Sequence, residues 1–136
     1  MNSQKTKYGI VMLIDDNEID NFINEKIISG CLFSNVVYVN TSTRSAIEFL
    51  KNISVNKTLR EGHLPEYIFL DINMPILDGF QFLEEFKSLE KTLVDSIKIV
   101  MLTSSINPND LERSKLYSFV KAFLHKPLTE ESLADL

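Results

Sequence analysis

One cysteine, four glycines and four prolines occur among the 136 residues, and each shortage excludes something. The single Cys31 rules out an internal disulfide framework and any multi-cysteine zinc site, which fits a reducing, cytoplasmic setting. With so few glycines and prolines, no linker, low-complexity segment or internal repeat stands out. Long apolar runs are missing too. None approaches the ~20 residues that span a bilayer, and Met1–Lys7 is polar with no signal-peptide core behind it, so no membrane is expected as a partner. Basic residues number 14 against 19 acidic ones, and the net charge of −5 disfavours nucleic acid.

What is present is ordinary globular material. Hydrophobic residues at 44% and charged residues at 24% exclude a disordered chain. A chain of this length is expected to bury about two-thirds of its unfolded surface, enough for one core without staples. The expectation is a single domain over residues 1–136, with no output domain, that acts as a monomer or weak homodimer.

Two kinds of segment alternate along the chain. Tyr8–Ile14 (YGIVMLI) is a branched, continuous apolar run too short for a helix, which reads as a strand buried on both faces. Asn17–Gly30 follows as a helix, with Ile19, Phe22, Ile23 and Ile27 on one stripe and Gly30 where a C-terminal cap belongs. Further strands are predicted at Asn35–Val39, Tyr67–Leu70, Ile97–Leu102 and Val120–Leu124. Helices are predicted at Ser42–Asn52, with Ala46, Ile47 and Leu50 inward, at Phe80–Leu89, from Asn107-Pro108 onward, and after Thr129. The stretch Ile53–Glu66 reads either as an extension of the second helix or as a surface loop. Five strand–helix repeats predict an α/β fold: a doubly wound, flavodoxin-like five-stranded parallel sheet with helices on both faces.

In such a sheet, ligands bind outside the carboxyl ends of the strands. The first strand ends in Asp15-Asp16, the third in Asp71, the fourth in Thr103-Ser104-Ser105 and the fifth in His125-Lys126-Pro127. Three carboxylates, a hydroxyl and an ammonium therefore collect at one rim. Crowded carboxylates are tolerated mainly where a hard cation sits among them. Asp78-Gly79 reads as turn and cap chemistry, His63 and His125 as surface residues, Cys31 as a small buried side chain, and Phe80, Leu83 and Phe86 as core.

The pattern resembles the receiver domain of two-component response regulators over nearly the whole chain. The residues that carry the resemblance are Ile14-Asp15-Asp16, the run Asp71-Ile72-Asn73-Met74-Pro75-Ile76-Leu77-Asp78-Gly79, Thr103-Ser104 and Lys126-Pro127. It implies that Asp71 accepts a phosphoryl group from a histidine kinase or histidine phosphotransfer protein. It further implies Mg²⁺ held by Asp16, Asp71 and the backbone carbonyl of Asn73, with Asp15 acting mostly through a water. Thr103 would bond the phosphoryl oxygen and Lys126 would pair with it. Phe123 matches the aromatic switch position, coupled to Thr103. The bond before Pro127 is expected to be cis. The implied function is a phosphorylation-controlled switch that signals to a downstream protein by contact or relays the phosphate, catalysing only its own phosphorylation and dephosphorylation.

Two other classes have discriminating features. A haloacid-dehalogenase-like phosphohydrolase needs a second aspartate two residues after the nucleophile, where this chain has Asn73. A phosphorylation-independent interaction module usually lacks one of the acid, hydroxyl or lysine positions, and here all are present.

Overall fold

Continuous apolar runs need cover on both sides, and three of the five strands receive it. The computed structural model describes residues 5–56, 58, 62–73 and 78–136. In chain order the elements are β1 (Ile10–Ile14), α1 (Glu18–Gly30), β2 (Val36–Asn40), α2 (Thr43–Val55) and β3 (Tyr67–Asp71). They continue with α3 (Gly79–Lys87), α4 (Lys91–Ser96), β4 (Lys98–Thr103), α5 (Pro108–Ser114), β5 (Val120–His125) and α6 (Glu130–Ala134). All pairings are parallel and the strand order is β2-β1-β3-β4-β5. The doubly wound, flavodoxin-like sheet is therefore confirmed, with its switch point between β1 and β3.

Strand alternation divides the core in two. Met12, Ile14, Ile68, Leu70, Ile99 and Met101 face α2, α3 and α4, whose Leu50, Phe82, Leu83, Phe86 and Leu93 are buried against them. Val11, Leu13, Tyr67, Phe69, Val100 and Leu102 face the other way, toward Ile28 of α1 and Leu133 of α6. Accessible area totals 7813 Å², against roughly 22,000 Å² for the unfolded chain. No helix among the described residues is long and apolar enough to cross a membrane.

Local chemistry sets the element ends. Asn17, Ser42, Asp78, Asn107 and Thr129 each cap a helix through a side-chain oxygen, and Asp78 with Gln81 forms a full capping box. Asp78-Gly79 is thus cap chemistry, as expected. The second helix runs past Asn52 to Val55, so the start of the ambiguous stretch extends that helix. Positions 57 and 59–61 of that stretch lie outside the described residues, as do Met74–Leu77 of the Asp71 run.

Three expectations need correction. The stripe on α1 is not its buried face: Ile19, Phe22 and Ile23 are 70%, 62% and 40% exposed, while Asn21, Asn24 and Ile28 are buried. Gly30 is the last helical residue, and the left-handed position falls two residues later, on Leu32 at φ 57°. Cys31, at the helix cap, is only half-buried, with burial raising its thiol pKa.

Candidate functional site

Parallel strands aim their carboxyl ends at one rim, and the loops after β1, β3, β4 and β5 meet there. Asp71 ends β3 and is 4% exposed; Asp15 follows β1 and is 2% exposed, with Asp16 exposed beside it. Asp15, Asp16 and Asp71 each bring a carboxylate oxygen within 4.8 Å of the others. The Lys126-Pro127 peptide is cis, and the Lys126 N–H donates to the Thr103 carbonyl at 2.7 Å. The Lys126 ammonium lies 2.8 Å from Asp20 Oδ2, 3.0 Å from Asp15 Oδ2 and 3.5 Å from Asp71 Oδ1. The rim predicted from the strand ends is assembled.

Its electrostatics follow from burial and like charge. Desolvation, reinforced by the Asp15 carboxylate, pushes the Asp71 pKa up to about 6, against the opposing pull of Lys126 and the Asn73 N–H. Burial works against the Lys126 ammonium, but the carboxylates of Asp20, Asp15 and Asp71 together outweigh it and hold its pKa above the ordinary lysine value. Among the described residues, one ammonium thus pairs with three carboxylates, and Asp16 beside them leaves the rim negative. An all-oxygen, carboxylate-rich donor set of this span suits a hard divalent cation. Oxygens sharing one such cation at about 2.1 Å stand about 3 to 4 Å apart, so a small inward adjustment brings this set together. The residues fit a divalent ion.

The expected switch pair stands apart from the acids. Thr103 Oγ1 donates to the Ser105 carbonyl at 2.9 Å and accepts the Ser105 N–H at 3.1 Å. Its hydroxyl is therefore committed to its own turn and not to Asp71. Phe123 pairs across the ladder with Met101, is half-buried, and lines a shallow cleft between α5 and β5 with Leu111 and Ser114. His125 and His63 are exposed, as expected.

Three site residues were missed from the sequence. Asn21 Nδ2 donates to the Asp15 carbonyl at 2.8 Å, and Asn24 Oδ1 accepts the Leu128 N–H at 2.9 Å. Both tie α1 to the loops that carry Asp15 and Lys126, which is why the buried face of this helix is polar at that end. Asp20 makes the shortest contact to Lys126. Its place in the first turn of α1, just past the acidic end of β1, was the one signal the sequence offered.

The chain is similar to known proteins. The chain is 29% identical over 128 residues to a probable methanogenesis regulatory protein, FilR2, of Methanothrix harundinacea, covering 91% of this chain and 76% of that one. The histidine kinase CKI1 of Arabidopsis thaliana is 29% identical over 126 residues, 88% of this chain but only 11% of the kinase. A two-component response regulator from Cytophaga hutchinsonii superposes with a TM-score of 0.85 at 30% identity, covering 97% of this chain and 94% of that structure. A family model, the response regulator receiver domain, matches residues 11–136, and the chain belongs to that family.

Proposed function

We propose that this receiver domain is switched by phosphorylation of Asp71, using a phosphoryl group drawn from a histidine kinase or histidine phosphotransfer protein. The observation that carries the reading is the placement of Asp71. It is buried at the switch point of the sheet, within 4.8 Å of two further carboxylates and 3.5 Å from a lysine ammonium. A receiver domain is a signalling module rather than a metabolic enzyme. Such domains typically bind Mg²⁺ in an acidic pocket, and here Asp15, Asp16, Asp71 and the carbonyl of Asn73 would hold it. When bound, Mg²⁺ neutralises charge on the equatorial oxygens of the phosphoryl group.

The chain's own groups do the rest. An Asp71 carboxylate oxygen forms the new P–O bond as the donor's P–N bond breaks, and the electron pair returns to the imidazole. Positioning matters more than covalent assistance in this transfer. Asp71 is fixed by β3, and its carboxylate accepts the Asn73 N–H at 3.4 Å. Lys126 is fixed by the backbone bond to Thr103 and offers its charge to the transferred group. Thr103 must leave Ser105 to reach a phosphoryl oxygen, and that movement couples the site to α5, β5 and Phe123. A downstream protein, or the next acceptor in a relay, reads the change by contact. An approaching donor meets Ile19, Phe22 and Ile23, which α1 exposes beside the rim.

The test is mass spectrometry after incubation with acetyl phosphate and Mg²⁺. One phosphoryl group should appear on the wild type and none on Asp71→Asn. Labelling that persists in Asp71→Asn and maps to Asp15, Asp16 or a histidine overturns the assignment.

A further inference from the structure

We propose that Asp20 is a positioning residue for Lys126, a releasable counter-ion that holds the ammonium on the α1 side of the rim until a phosphoryl group displaces it. The inference rests on the phosphoacceptor reading of Asp71. An ammonium has three hydrogens to donate. Lys126 gives hydrogen bonds to Asp20 at 2.8 Å and Asp15 at 3.0 Å, while Asp71 Oδ1 stands farther off at 3.5 Å. The lysine that should serve the acceptor is therefore held more closely by two other carboxylates. Pairing with a phosphoryl group requires it to give one of them up.

Burial decides which. The Asp15 side chain is 3% exposed, and its Oδ1 also accepts the Asn17 N–H at 2.9 Å, so releasing it strands a buried carboxylate. The Asp20 side chain is 34% exposed, so water replaces the ammonium there at little cost. Asp20 sits in the first turn of α1, whose N-terminal dipole keeps the carboxylate favourable after the lysine leaves. Asp20 and the phosphoryl group thus compete for one cation, and Asp20 sets how firmly the resting state keeps it.

The experiment measures binding of beryllofluoride with Mg²⁺, a stable stand-in for the phosphoryl group on Asp71, to wild type, Asp20→Asn and Asp20→Glu. Asp20→Asn should bind about two- to fivefold tighter, the effect of losing one part-exposed ion pair, and Asp20→Glu should return toward wild type. The gain should disappear in a Lys126→Met background. An equal gain there would mean simple relief of charge repulsion, and would overturn the assignment. Because Lys126→Met removes the only cation that the described residues bring to the acidic cluster, a second reading is taken without ligand: the ¹H–¹⁵N ammonium signal of Lys126. That signal should move in Asp20→Asn, and its failure to move overturns the proposal independently. Failure of wild type to take up beryllofluoride at Asp71 overturns the phosphoacceptor reading instead, so the two failures are distinguishable.

Discussion

At the scale of single residues, the site is built from groups that oppose folding. The Asp71 pKa, pushed up to about 6, lies above the ordinary aspartate value of 3.8. The folded state therefore holds this proton more tightly than the unfolded chain does. Asp71's contribution to stability is intact below about pH 4 and is lost as pH rises through 6, so at neutral pH its ionisation costs stability. A shift of this size corresponds to at most about 3 kcal/mol. Asp71→Asn removes the charge and keeps the shape. In EDTA it should unfold about 1–3 kcal/mol later than wild type at pH 7.5, and the difference should vanish as pH falls to about 4. Urea titrations at several pH values measure this; a constant difference, or one that grows toward acid, contradicts the electrostatic picture. The identity of Asp15, Asp16, Asp71 and Lys126 was legible because each ends a readable strand. Asp20 was not, since an acid in a first helical turn already has a local explanation in the helix dipole.

At the scale of elements, the close seating of α3 on β3 is what holds the end of that strand in place. The Gly79 N–H donates to the Ile72 carbonyl at 2.9 Å. A methyl group on Gly79 would stand 3.0 Å from the Asp71 carbonyl oxygen and 3.0 Å from Ile72 Cα. Both are backbone atoms and cannot rotate away, so the helix or the strand end would have to move. Gly79→Ala ordinarily favours a helix, yet here it should destabilise by about 1–2 kcal/mol, because the overpacking outweighs the propensity gain. It should also slow acetyl phosphate labelling of Asp71. Thermal melts and labelling rates check both, and a more stable variant would mean that the contact relaxes freely. The elements themselves were legible to different degrees. Strands β1, β3 and β4 were readable because burial on both faces demands unbroken apolar runs. Helix α1 was placed correctly but turned wrongly, because its buried Asn21 and Asn24 satisfy loop backbone rather than pack in oil. Helix α4 was missed altogether, for six residues with Leu93 as their one buried side chain carry no periodicity to detect. The turn that occupies the Thr103 hydroxyl has no sequence signature apart from the threonine itself.

At the scale of the whole molecule, two apolar layers on either side of one sheet stabilise an acidic rim that is unfavourable when empty. The rim's charge is part of a net −5 spread over the chain. A divalent ion that binds the folded rim and hardly at all the unfolded chain must then stabilise the protein by mass action. At ten times its dissociation constant, Mg²⁺ should add about 1.4 kcal/mol, a shift of a few degrees in Tm for a chain of this size. Asp16 is the variant that separates binding from folding. Its side chain is exposed beside the rim, so Asp16→Asn loses little that holds the fold together and relieves some repulsion. In EDTA this variant should melt at or above wild type, and on adding millimolar Mg²⁺ it should gain clearly less. General screening also relieves a net negative protein, so both melts are run at constant ionic strength, with a sodium salt replacing the magnesium salt. If wild type and Asp16→Asn respond equally to Mg²⁺, Asp16 is no ligand. If neither responds and both Asp16→Asn and Asp71→Asn melt below wild type in EDTA, the three carboxylates do not act as one site, and phosphorylation at Asp71 loses its main physical support.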